Sequence, residues 1–240
     1  MRELGILRYF PELKALINVP QSPKWHPEGD VWVHTMMCVD EMVNLLGDDE
    51  KLNLKMMFAI LCHDLGKATT TTVDEDARIR AIGHEKAGLE PTKSFMYRLT
   101  HEHDFIESLL PLVEHHLKPS QFYAAKSKAS AIRRLATKVN IEELETVAKV
   151  DFLGRATEEA LSRDYKAGKW LLEQSKNLKV LTKPLDNLLQ GRDLIGLEVD
   201  PSPEFKMILD EVYALQMDGE LTTKEEAMAY VKKTFILNSK

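Results

Sequence analysis

Two cysteines, Cys38 and Cys62, are all that this 240-residue chain contains, which excludes a disulfide framework. Each lies inside an apolar helical segment, so both read as small core residues of a reducing compartment. Pairing Cys62 with His63 as a nucleophile is awkward, because neighbours on a helix diverge by about 100°. Long hydrophobic runs are missing as well. The longest, Met56 to Cys62, is far too short to span a bilayer, and Met1-Arg-Glu-Leu-Gly5 lacks the apolar stretch of a secretion signal. Together these absences predict a cytoplasmic protein without membrane contact. Basic excess is also absent: the formal net charge is −6, so no global field recruits nucleic acid. Alternating strand patterns are almost missing, and no repeat or low-complexity tract is found.

What is present is helical spacing. Apolar residues make up 44% of the chain and recur at a helical period nearly throughout, so the fold class is all-α. Asp30 is the expected N-cap of a helix over about 31–46, with His34 in its first turn, and a buried helix over about 50–65 delivers His63 and Asp64 at its end. Thr69 to Ile82, rich in Thr, Val and charge, predicts a small hairpin or flap. Asp74-Glu-Asp76 falls inside it and reads as a solvated turn. Gly83 opens a helix with His84 in its first turn. Further helices fit about 104–117, 128–138, 141–154 and 157–176, with Pro91 and Pro111 bending or restarting their segments. Residues 178–202 form a Pro- and Gly-rich connector, and two amphipathic helices over about 203–217 and 223–233 close the chain. Thr223 with Glu226 is a capping-box pair. This divides the chain into a domain over 1–177 and an extension over 178–240 packed on it.

The residues that carry chemistry are His34, His63, Asp64 and Asp151, in the order His, His-Asp, Asp. Imidazole offers a lone pair to a borderline cation, and a carboxylate adds charge and can bridge two ions. His84, His115 and His116 supply enough imidazoles for a second ion sharing Asp64. A bound divalent ion lowers the pKa of water from ~15.7 to ~7, and a second can steady a leaving oxygen. Lys67 lies three residues beyond Asp64 and four beyond His63, which aims an ammonium at a bound phosphate if the turn stays helical. Arg155, four beyond Asp151, shares its helix face and can pair with it or with substrate phosphate. His26 is a loop residue able to contact substrate or to pack on Trp25. His101 and His103 read as solvent-exposed. Lys126, Lys128, Arg133, Arg134 and Lys138 form a basic stretch that either tracks an RNA backbone or faces solvent.

Phe58-Ala-Ile-Leu-Cys-His-Asp-Leu-Gly-Lys67, preceded by His34 and followed by Asp151, resembles the HD-domain metal-dependent phosphohydrolases. The resemblance implies a helical bundle in which His34, His63, Asp64 and Asp151 hold one metal, His84, His115 and His116 hold a second, and Asp64 bridges them. A closer likeness runs through Phe10-Pro-Glu-Leu13, Trp25-His-Pro-Glu-Gly-Asp-Val-Trp-Val-His-Thr35, Gly83-His-Glu-Lys-Ala-Gly88 and Asp151-Phe-Leu-Gly-Arg155. These segments, with Gly191-Arg-Asp-Leu-Ile-Gly-Leu197 and Pro203 through Gly219, resemble the HD and C-terminal regions of bacterial multifunctional CCA-adding tRNA nucleotidyltransferases. That family's nucleotide-adding head, with its Gly-Ser-rich strand and paired carboxylates, has no counterpart here, so nucleotide addition is not expected of this chain alone. The alarmone hydrolases carry an acidic pair where Lys67-Ala68 stands. The cyclic-di-GMP branch carries Gly-Tyr-Pro where Lys118-Pro-Ser-Gln-Phe follows the paired histidines.

The expected activity is hydrolysis of nucleotide-type phosphoesters: 2′,3′-cyclic phosphodiesters, 2′-nucleotides or phosphomonoesters. Asp64, Lys67 and Arg155 carry it, with His26, Lys67 and Arg155 on the substrate. The expected cofactors are two divalent ions, Mn, Fe, Co or Ni, with Mg as the alternative. Expected partners are a nucleotide or other phosphoester, tRNA or RNA ends, and a second copy in a homodimer. Two other readings stand beside it: a tRNA-binding body working with a separate nucleotidyltransferase, and a nucleotide phosphatase of salvage type.

Overall fold

The computed structural model describes residues 5–237. It is built of helices with one two-stranded sheet, as the patterning predicts. Asp30 accepts from Val33 N at 2.9 Å and starts α1 (Val31–Val43). Asp49 accepts from Lys51 N and Leu52 N, both at 3.0 Å, and starts α2 (Glu50–Cys62). Each cap satisfies backbone N–H groups that the first helical turn leaves without partners. The helix expected to reach residue 65 stops at Cys62 instead. His63 Nδ1 donates to the Ile60 carbonyl at 2.6 Å, the acceptor that a continuing α-helix would give to Asp64 N.

A one-turn helix, Lys67–Thr70, leads into β1 (Thr71–Val73), which pairs antiparallel with β2 (Ile79–Ala81), Thr71 opposite Ala81. The flap is therefore a hairpin. Its turn is closed by Asp74 Oδ1, which accepts from Arg78 N at 2.8 Å, and Asp74 and Asp76 are exposed. Next come α3 (His84–Ala87), α4 (Leu89–Tyr97), α5 (His103–His115), α6 (Lys118–Ala125), α7 (Ala129–Ala136), α8 (Ile141–Leu153) and α9 (Lys166–Asn177). Pro91 sits in the first turn of α4, where its missing N–H costs nothing, and α5 runs through Pro111 without restarting. The single helix expected over 157–176 is broken. Arg163 takes φ 56°, a left-handed value that helical continuation forbids, leaving a short turn at Glu158–Leu161 before α9. The connector carries an unanticipated helix, α10 (Gly191–Gly196), with a Gln190/Asp193 capping box. α11 (Glu204–Asp218) and α12 (Lys224–Val231) follow, the latter with the expected Thr223/Glu226 box.

The chain sorts into two compact units. One runs to Lys126 and resumes at Val139–Glu173; the other takes Ser127–Lys138 and the residues from Gln174 onward. In the first, α1, α2, α5 and α8 pack on one another. α5 buries Ile106, Leu109, Leu110, Leu112 and Val113, a stripe at i, i+3, i+4, i+7 spacing that faces the bundle. Each such side chain contributes ~1.5–3 kcal/mol relative to exposure. In the second unit, Leu194, Ile208, Val212, Ala227 and Val231 form the core. There α7 packs on α11, held by Arg133 Nη1 on the Met217 carbonyl at 3.1 Å and by a two-pronged Arg134–Asp218 pair at 2.8 Å.

Glu145 of α8 lies against Gly168, where an added Cβ would come within 2.3 Å of its Oε1. Burial raises its pKa, with Lys149 opposing. A carboxyl whose folded pKa is raised contributes stability below its unfolded pKa and loses it as pH rises through the folded value. Glu145→Gln is therefore expected to raise the melting temperature at about pH 8 and to change it little at about pH 4, where both side chains are neutral. Thermal denaturation at the two pH values checks this, and equal shifts at both would refute it.

Candidate metal centre

Four histidines present themselves to Asp64 in one way. His63 Nδ1 donates to Ile60 O at 2.6 Å, His84 Nδ1 to Ala81 O at 2.7 Å and His116 Nδ1 to Val113 O at 2.7 Å. In each case the acceptor is the carbonyl three residues earlier, at or just beyond the end of a helix or strand. His34 Nδ1 instead donates to Glu28 Oε1 at 2.8 Å. Engaging Nδ1 on a carbonyl fixes the tautomer of His63, His84 and His116 and leaves each Nε2 without a proton.

The four Nε2 atoms converge on the two Asp64 oxygens. Oδ2 lies 3.2 Å from His63 Nε2 and 3.9 Å from His34 Nε2. Oδ1 lies 3.3 Å from His84 Nε2 and 3.9 Å from His116 Nε2. Asp151 Oδ1 completes the first group, 3.1 Å from His34 Nε2. A second tight approach brings those two together: a Cβ on Gly154 would meet Cys38 Sγ at 2.4 Å, so α8 lies directly on α1 three residues past Asp151. Cys38 packs against the His34 ring, Sγ to Nε2 3.4 Å. Burial raises its pKa, which keeps it a neutral thiol.

These residues fit metal ions. His63 Nε2 and both Asp64 oxygens are buried and make no hydrogen bond among the described residues, the condition of atoms reserved for coordination. Donor atoms of His34, Cys38, His63 and Asp151 lie within 4.8 Å of one another, as do those of Asp64, His84 and His116. Burial works to raise the Asp64 pKa, but His63 and Lys67 outweigh it and hold the carboxyl well below its usual range. Burial likewise opposes ionisation of Asp151, and Arg155 and His34 overcome it. Burial pushes His116 down to about 3, with neighbouring His63 adding to the effect, so its imidazole is neutral.

His115 is in neither donor group. It is buried one residue before His116, at a helix position rotated by about 100°, and its Nε2 lies 4.0 Å from Glu114. Lys67 does share a face with Asp64: its Nζ stands 2.7 Å from Oδ2 as an ion pair and donates to Gln21 Oε1 at 2.8 Å. Arg155 Nη2 bonds both Asp151 oxygens, at 3.0 and 2.9 Å. His26 stands edge-on to His34 with centroids 4.5 Å apart. His101 and His103 are exposed. A cavity of about 230 Å³ opens over the centre, lined by His26, Asp64, Lys67, His84, Asp151 and Arg155 among others.

Glu28 is the functional residue that sequence reasoning missed. Its Oε1 accepts from His26 Nδ1 and His34 Nδ1, each at 2.8 Å, and its Oε2 accepts from Ala156 N at 3.1 Å. Burial opposes its ionisation, and the two histidine hydrogen bonds hold its pKa far below the usual range. Its only sequence signal is its position between His26 and His34. A carboxylate behind a ligand histidine orients the ring, and removing it typically costs 10–100-fold in metal affinity. Glu28→Gln is expected to weaken Mn²⁺ binding by about that factor, read by calorimetry; unchanged affinity would assign Glu28 to loop structure alone.

The fold and this His/Asp constellation define a metal-binding helical hydrolase scaffold. The HD domain model matches residues 33–155, from just before His34 to Arg155, and the chain belongs to the HD domain family, within the metal-dependent phosphohydrolase superfamily. It is also similar to the multifunctional CCA protein of Pasteurella multocida (strain Pm70), 33% identical over 186 residues, 73% of this chain and 42% of that protein. The chain thus spans less than half the length of that curated relative. No solved structure matches. Among the described residues, no helix is long and apolar enough to cross a membrane.

Proposed function

We propose that this chain hydrolyses nucleotide-type phosphoesters, namely 2′,3′-cyclic phosphodiesters, 2′-nucleotides or phosphomonoesters, with two divalent ions that the His/Asp cluster around Asp64 would hold. The observation that carries the reading is the division of Asp64: one oxygen faces His34 and His63, the other His84 and His116. Bound there, such ions supply Lewis acidity toward phosphoryl oxygens and a water acidic enough to ionise near neutral pH. His34, His63 and Asp151 would hold the first ion, and His84 and His116 the second. Imidazole-rich donors favour Mn, Fe, Co or Ni over Mg.

The chain's own residues serve the ester. Lys67 and Arg155 place two positive charges on the wall of the cavity, where they neutralise phosphoryl oxygens as charge develops. Each is pre-positioned by a carboxylate of the centre. His26, held through Nδ1 by Glu28, lines the same cavity and contacts the ester. The tRNA-body reading draws less support, because Arg133 and Arg134 of the basic stretch are engaged by Met217 and Asp218. A tRNA gel shift at low salt tests it, since phosphate contacts weaken with ionic strength.

A hydrolysis panel with Mn²⁺, Co²⁺, Ni²⁺ and Mg²⁺ tests the main reading. Turnover is expected on 2′,3′-cyclic AMP, 2′-AMP or an aryl phosphate, and loss of it in chelator. Activity confined to dNTPs would replace the preferred class with a salvage-type phosphatase, and no turnover of any ester would overturn the assignment.

A further inference from the structure

The cavity over the metal centre, about 230 Å³, is smaller than the roughly 300–1,000 Å³ of typical ligand pockets. On that comparison it is small for a whole nucleotide. A second cavity of about 480 Å³ has Trp25 and Arg155 in its lining in common with the first. Tyr123, Phe152 and Tyr165 also line it, a concentration of rings in a chain only 7% aromatic.

Phe152 and Tyr165 stack with centroids 5.0 Å apart and planes 26° off parallel, and Tyr165 is buried. Tyr123 stands edge-on to Trp170 at 6.0 Å and is 43% exposed, and Trp25 is 51% exposed. Large aromatic faces left open at a cavity are costly in water and suit a flat heterocycle. Ser120 Oγ and Tyr165 Oη, 3.0 Å apart, supply hydroxyls that can pair with a base edge. Arg155 gives Nη2 to both Asp151 oxygens and lines both cavities.

We infer that this second cavity is a base subsite, which takes the heterocycle of a nucleotide whose phosphate lies at the metal centre and so selects nucleotides over other phosphoesters. The inference rests on the phosphoester reading for its use, but base binding can be measured without turnover. Adenosine, which has no phosphate, is expected to quench the fluorescence of Trp25 and Trp170 in a saturable way. Base–aromatic stacking supports a loss of roughly tenfold in adenosine affinity for Tyr123→Ala, with Tyr123→Phe restoring it. In turnover, the ratio of kcat/KM for 2′-AMP over glycerol 2-phosphate is expected to fall about tenfold in Tyr123→Ala through KM.

Adenosine binding with these mutational effects, in a protein that cuts no ester, would leave the subsite standing and overturn the phosphoester reading. No adenosine binding at millimolar concentration, or equal affinity and equal selectivity in Tyr123→Ala, would overturn the subsite whatever the panel shows.

Discussion

Asp64→Ala and Asp64→Asn are expected to lose metal retention and to reduce phosphoester turnover by about 10³-fold or more. Metal-assisted charge stabilisation supplies several kcal/mol, and each ~1.4 kcal/mol is a factor of ten in rate. Asp64 is 1% exposed, and among the described residues it is the carboxylate whose oxygens face both imidazole groups. Removing it leaves the Lys67 ammonium without its partner in a buried site, at a cost of ~3–5 kcal/mol, so the alanine variant alone is an ambiguous test. Asparagine keeps the shape and one acceptor oxygen but carries no charge with which to bridge. Thermal shift separates folding from binding. At about 100 times Kd a metal stabilises the wild-type chain by ~2.7 kcal/mol, or about 5–10 °C at this size. Neither variant is expected to show that shift. Hydrolysis at the wild-type rate by a folded Asp64→Asn protein would sink the assignment.

Gly66→Ala is expected to damage fold and site together, although it adds one methyl group. Gly66 has φ −68° and ψ −19°, an ordinary helical conformation, so backbone strain is not the reason for glycine here. Space is. A Cβ on Gly66 would lie 2.0 Å from the His84 carbonyl oxygen and 2.6 Å from Gly88 N. Carbon contacts need ~3.5 Å or more, so α3 must retreat by an ångström or so, and the obstacle is backbone rather than a side chain that can swing away. Overpacking of this kind costs ~1–3 kcal/mol, occasionally more. The retreat also carries His84 away from Asp64 Oδ1, now 3.3 Å distant, and a 1 Å misplacement can cost about 10² in rate. A lower melting temperature together with weakened metal binding is the expected pair of results. Gly47, with nothing within 4 Å of an added Cβ, is the control, and Gly47→Ala should leave both unchanged. A Gly66→Ala protein as stable and as metal-competent as wild type would refute the close-approach argument.

Helix placement was legible in the sequence wherever local chemistry decides it. The Asp30 cap, the Thr223/Glu226 box and the apolar stripe of α5 act within four residues of themselves, and each is found. The ends of helices were less legible. α2 stops early because His63 takes a carbonyl with its side chain, and the 157–176 segment breaks at a left-handed Arg163. Neither event leaves a mark in hydrophobic periodicity.

The sequence by itself determined the order His34, His63-Asp64, Asp151, the helical frame that carries it, and the ammonium at Lys67 beside Asp64. Those follow from residue type and from spacing along single helices. Only the tertiary structure decided that His116 comes within 3.9 Å of Asp64, that Glu28 holds His34, and that Gly66 must be small. It alone set an aromatic cavity that has Arg155 in common with the one over the His/Asp cluster. The physical reason is distance along the chain: His34 and Asp151 are 117 residues apart and Glu28 and Ala156 are 128 apart. Such contacts exist only once helices have packed, and packing depends on the shapes of all the side chains at once rather than on any local pattern.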